Sequence, residues 1–100
     1  MSAIVVAGWM RVDPARRGDL VEGHRYVMEL ARQEPACIDF VVSADPVDDS
    51  RVCLLEIWDD RAALEAFRAR PFPEGRTAPP EPDEISVREY LADEVRTLAD

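Results

Sequence analysis

The sequence predicts an α+β domain in which four antiparallel strands carry two helices on one face. Two observations lead there. Runs with a two-residue apolar alternation and runs with a helical apolar stripe follow one another in the order strand, helix, strand, strand, helix, strand. Prolines and short polar turn residues punctuate the junctions. That order is the ferredoxin-like βαββαβ pattern. The 100 residues suffice for a single domain spanning 1–100.

Residues 3–12 alternate as a strand, with Ile4, Val6 and Met10 on one side and Val5, Ala7 and Trp9 on the other. A strand apolar on both sides needs cover on both. Asp13-Pro14 ends it, and either Asp13 or Asp19 caps the next helix, with Pro14 suited to a first turn. That helix runs from about 15–19 to 33. Its inward stripe is Leu20, His24, Val27 and Ala31, with Val21 and Met28 at the edge; Glu22, Arg25, Glu29 and Arg32 face outward. Glu34-Pro35 stops it. Residues 37–44 and 51–58 form a hairpin around the turn chemistry of Asp45-Pro46-Val47-Asp48-Asp49-Ser50. Asp59 or Asp60 caps a second helix, 60–69, whose apolar face is Ala63, Leu64 and Phe67. Residues 71–83 hold five of the eight prolines and form a loop, either a lid or a plain connector. Residues 84–92 are the last strand, and a charged tail follows from about 93.

Two helices cover only one face of such a sheet. The first and third strands are nevertheless apolar on both sides, and the simplest closure is a two-fold homodimer, sheet against sheet. A net charge of −9 repels phosphate backbones and anionic lipid surfaces, so neither nucleic acid nor membrane is an expected partner. No apolar run approaches the ~20 residues of a membrane helix. The opening Met1-Ser2-Ala3-Ile4 lacks the basic segment of a secretory signal, and a cytoplasmic location is expected. Hairpin arithmetic sets Cys37 opposite Trp58 and Cys53 opposite about Val42, too far apart for a disulfide. A single histidine leaves little from which to build a zinc site.

Several residues invite chemistry. His24 sits in the inward stripe as either a core histidine with one hydrogen-bond partner or a general base. Glu56 shares a strand face with Val52, Leu54 and Trp58, where a carboxylate is either paired or tuned as an acid or base. Trp9 and Trp58 either pack in the core or stack on an aromatic ligand. Phe40, Phe67 and Phe72 are candidates for the same pocket. No phosphate loop, dinucleotide fingerprint or nucleophile elbow is present.

Taken in order, several motifs resemble the antibiotic biosynthesis monooxygenase family. They are Ile4-Val5-Val6-Ala7, Val12-Asp13-Pro14, Glu34-Pro35-Ala36-Cys37, and Leu55-Glu56-Ile57-Trp58-Asp59-Asp60 with Ala63-Leu64-Glu65-Ala66, then Val87-Arg88-Glu89-Tyr90. The resemblance implies a dimeric α/β barrel with each active site between sheet and helices. Many members oxidise phenolic polyketides, anthrones or quinols with molecular oxygen and no metal, haem or flavin. It makes His24 or Glu56 the candidate base and Trp58 a wall, with Trp9, Phe40, Leu54, Leu64, Phe67 and Phe72 around the pocket. Where the family usually carries a histidine after its helix motif, this chain has Phe67. Leu54 and Leu64 stand where polyketide-oxidising members have asparagine and tyrosine, and the haem-degrading residues are missing. The implied function is a cofactor-independent monooxygenase on a small aromatic substrate. The alternative is a non-catalytic dimeric module that binds a hydrophobic metabolite.

Overall fold

In the computed structural model, which describes residues 2–100, the two runs that are apolar on both sides become the two inner strands. β1 (Ala3–Arg11) pairs with β3 (Arg51–Trp58) on one side and β4 (Glu84–Ala92) on the other, and β2 (Cys37–Ala44) flanks β3. The antiparallel order β2-β3-β1-β4 is that of the ferredoxin-like fold, and the sheet is open at β2 and β4. Between β1 and β2 lies the first helical layer, α1 (Arg17–Gly23) and α2 (Arg25–Ala31); α3 (Arg61–Arg68) joins β3 to β4.

Directly paired residues share a sheet face, so register decides what the helices cover. Ile4 lies opposite Trp58, Val6 opposite Glu56 and Met10 opposite Val52. This row forms the core with Phe40 and Val42 of β2 and with the fully buried Leu20 and Leu64 of the helices. Burying each of those leucines contributes about 1.5–3 kcal/mol. A register shift between Cys37 and Asp39 turns both Cys37 and Phe40 toward the helices and leaves Ile38 half exposed. Cys37 pairs with Trp58 and Cys53 with Ser43, and both thiols are free.

The first helix departs from the expected single run. A 3₁₀ turn, Pro14–Arg16, precedes it, capped by Asp13, whose Oδ1 accepts from the Ala15 N–H at 2.8 Å. The α-helix is then interrupted at His24, with φ −92° and ψ −4°. The His24 ring Nδ1 lies 2.8 Å from the Leu20 carbonyl, the acceptor that an unbroken helix would give to the His24 backbone. The displaced backbone N–H bonds to Val21 instead, at 3.1 Å. A side chain has thus taken a helix acceptor and tightened the turn. α3 begins where Asp60 accepts from the Ala63 N–H at 3.2 Å. At the hairpin turn, Ser50 donors and the Arg11 guanidinium hold the Asp48 carboxyl down at about 2.

The other sheet face carries Val5, Ala7 and Trp9 of β1, Val41 of β2, and Cys53, Leu55 and Ile57 of β3, all partly exposed. The Arg11 and Arg51 guanidiniums lie 5.3 and 5.7 Å from the centre of the Trp9 ring. Among the described residues no helix is long and apolar enough to cross a membrane.

At Gly8 the β4 backbone leaves no room for a side chain on β1. A Cβ there would stand 2.0 Å from the Ser86 carbonyl oxygen and 2.7 Å from the Val87 Cα. Gly8→Ala should therefore destabilise the fold by about 1–3 kcal/mol in urea unfolding, with amide protection lost first along β4.

Candidate functional site

A cavity of 380 Å³ lies between the sheet and the helical layer. Its floor is Met10, Phe40, Leu54 and Glu56, drawn from three strands. His24 and Val27 line it from the first helical layer, and Phe67, Arg68 and Arg70 from the end of α3. Phe72 and Pro79 of the proline-rich segment and Ile85 of β4 complete the lining. Residues 71–83 form no helix or strand, but they are seated on the helix. Pro79 packs so closely on Gly23 that a Cβ at 23 would fall 2.6 Å from its ring, and Arg76 lies 3.8 Å from the centre of the Tyr26 ring.

Glu56 is the one buried charged residue among the described residues, at 7% exposure. It accepts a hydrogen bond from the Trp58 indole N–H at 3.1 Å. Burial pushes its carboxyl above the ordinary value of 4.5, opposed by the Trp58 N–H and by the positive charge of Arg68. A carboxyl held toward its neutral form in an apolar site serves as a proton donor and, once ionised, as a base. His24 supplies a complementary group. A carbonyl oxygen only accepts, so Nδ1 is the donor to Leu20, and in the neutral ring the lone pair is then on Nε2.

Of the residues singled out from the sequence, His24, Phe40, Leu54, Glu56, Phe67 and Phe72 surround this cavity. Three do not. Trp9 sits on the opposite face of the sheet, because odd-numbered β1 residues point away from the helices. Trp58 is on the helix side but fully buried, held by Glu56 and packed 5.4 Å from the Phe67 ring, so it supports the floor without lining it. Leu64 is likewise fully buried in the core, one helical turn before Phe67. Sequence reasoning passed over Met10, Val27, Arg68, Arg70, Pro79 and Ile85. Val27 already belonged to the inward stripe of the first helix. The pair Arg68 and Arg70, just beyond Phe67, was the available signal that the end of α3 carries charge at the rim. A larger groove of 580 Å³ between α1 and residues 77–80 holds no buried polar side chain. Among the described residues no three His, Cys, Asp or Glu side chains converge as metal ligands.

Comparison with known proteins agrees with this architecture. The family profile described as antibiotic biosynthesis monooxygenase matches residues 3–72. An uncharacterised protein of Synechocystis is 32% identical over 69 residues, which cover 69% of this chain and 47% of that protein, so the matched part is about half of the relative's length. Among solved structures, a candidate antibiotic biosynthesis monooxygenase from Deinococcus radiodurans superposes with a TM-score of 0.76 at 16% identity, over 97% of this chain and 99% of its own. A Shewanella oneidensis protein gives 0.74 at 18% identity over 91% and 93% of the two chains. A Pseudomonas aeruginosa protein gives 0.72 at 19% identity over 90% and 93%. At these identities the structural likeness is one of fold.

The environment of Glu56 has a measurable consequence. A carboxyl with a raised folded-state pKa stabilises the fold fully below its unfolded value of 4.5, and that contribution is lost as pH rises through the folded value. Glu56→Gln keeps an acceptor for the Trp58 N–H but cannot ionise. Its stability relative to wild type should rise as pH climbs above the unfolded value of 4.5, measured by urea unfolding at each pH. Asp48 and the other surface acids titrate in both proteins and cancel in the difference; a flat difference would mean that Glu56 ionises as freely as a solvated carboxylate.

Proposed function

The chain belongs to the antibiotic biosynthesis monooxygenase family, and from that premise we propose that it is a cofactor-independent monooxygenase oxidising a small aromatic substrate of polyketide, anthrone or quinol type with molecular oxygen. The observation that carries this reading is the joint presence of His24 and Glu56 on the wall of one largely apolar cavity.

The chemistry needs no external reductant. For an anthrone-type methylene, His24 Nε2 takes a proton, and the carbanion formed is delocalised into the aromatic ring. That anion gives an electron to oxygen, and the radical pair combines to a C–O–O⁻ adduct. Protonation by the imidazolium or by Glu56 yields the hydroperoxide. Removal of the second proton from the same carbon breaks the O–O bond, leaving a carbonyl and expelling hydroxide, which takes the proton to become water. One oxygen atom ends in the product and one in water, and all four electrons come from the substrate. The apolar walls keep water from the carbanion, and the aromatic side chains Phe40, Phe67 and Phe72 match a flat ring.

The test is oxygen uptake over a panel of anthrones, naphthols and quinols. Uptake above the spontaneous rate, reduced about 10²–10⁴-fold in His24→Gln, is the expected result. No uptake, with saturable binding of the same compounds, would replace the oxygenase with a binding module for a hydrophobic metabolite.

The same proposal includes a homodimer closing over the open sheet face into an α/β barrel. The partly exposed row of Val5, Trp9, Leu55 and Ile57 supports it. Light scattering should give twice the chain mass for wild type and the monomer mass for Leu55→Asp, which sets a charge in the centre of that face. A cytoplasmic location is in keeping with two free thiols.

A further inference from the structure

The chain carries 21 Asp and Glu against 12 cationic residues, every one of them arginine. The cavity inverts that balance. Its ionisable lining is Arg68 and Arg70 at the rim, His24 in the helical wall and a single acid, Glu56, in the floor. With two guanidiniums against one carboxyl, itself pushed toward its neutral form by burial, the lining favours an anion over a cation.

The two rim arginines are not equivalent. Arg70 is already engaged, in an ion pair with Glu34 and with its guanidinium 5.2 Å from the centre of the Phe67 ring. The neighbouring Arg61 is tied to Glu89 by two contacts, 3.0 and 3.1 Å. Arg68 makes no ion pair among the described residues; it acts through space on Glu56 and on the already paired Glu89. A guanidinium offers a planar fork of N–H donors whose natural partner is a pair of anionic oxygens. Beside an apolar cavity such a partner gains more than it would in open water.

We propose that the cavity takes an aromatic ligand bearing an anionic oxygen group, a carboxylate or an ionised phenol, with the ring among Phe40, Phe67 and Phe72 and the charge held by Arg68. This rests on the cavity being the substrate site and names the class of substrate it selects. Arg68 is then a specificity residue, separate from the proton-transfer groups. A neutral polycyclic substrate of equal size would fill the same space and leave the guanidinium unmatched.

Calorimetric titration with 2-naphthoate and 2-naphthamide, which share one ring system and differ in charge, tests this without oxygen chemistry. Wild type should bind the carboxylate about tenfold more tightly than the amide, and added salt should narrow the gap. Arg68→Gln should weaken carboxylate binding far more than amide binding and so remove the preference, Arg68→Lys should restore part of it, and Arg96→Gln in the tail should behave as wild type. Arg68 is exposed in the last turn of α3, and circular dichroism of each variant checks that the fold is retained. Equal affinity for the two probes, a preference that survives Arg68→Gln, or no binding of either would overturn the proposal. Turnover of neutral aromatics with no preference for anions would overturn it and leave the oxygenase reading standing. Anion preference with no oxygen uptake would do the reverse.

Discussion

The hydrogen bond from the Trp58 indole to Glu56 joins the two most demanding groups in the core. The residues are two apart on β3, so their side chains stand on the same face and within reach of each other. A fully buried indole N–H needs an acceptor, and a buried carboxyl needs a donor; each supplies the other. Leaving either unpartnered costs about 1–3 kcal/mol. Around this pair the aromatic side chains close ranks, with Phe67 tilted against Trp58 and edge-on to Phe40 at 6.1 Å. The cavity therefore has a floor whose one ionisable group is fixed in place by the packing that also holds α3 to the sheet.

The helical wall solves a different problem with a local trade. By giving its Nδ1 proton to the Leu20 carbonyl, His24 loses a regular helical bond and gains a fixed ring orientation. Gly23, immediately before it, leaves room for Pro79, and the proline-rich segment settles there with Arg76 against Tyr26. One short stretch of sequence thus breaks the helix, orients an imidazole and seats the covering loop.

Much of this was legible in the residues. The alternation of Ile4, Val6 and Met10 against Val5, Ala7 and Trp9 specified both faces of β1, and the turn around Asp45 specified the β2–β3 register to within one residue at Cys53. The inward stripe of the first helix correctly brought His24 to the sheet side. The interruption at His24 was not legible, because it arises from a side chain competing for one carbonyl, which a pattern of apolar spacing does not record. Trp9, Trp58 and Leu64, expected around the pocket, do not line this cavity, for a related reason. Size and aromaticity mark a residue as ligand-facing or core-filling equally well, and only the register and the packing of α3 separate the two. Arg68 and Arg70 escaped notice because a charge near a helix end ordinarily means no more than a solvated surface.

The tryptophans also lie on opposite sides of one sheet, and this divides the molecule optically. Trp58 is sealed against the Glu56 carboxyl beneath the cavity, whereas Trp9 lies near two guanidiniums on the open face. An indole's emission depends on the charge and solvent around it, and these two rings differ in both: Trp58 is fully buried beside a carboxyl, and Trp9 is partly exposed beside cations. The chain consequently carries two intrinsic fluorophores in separate surroundings, one beneath the cavity and one on the open sheet face.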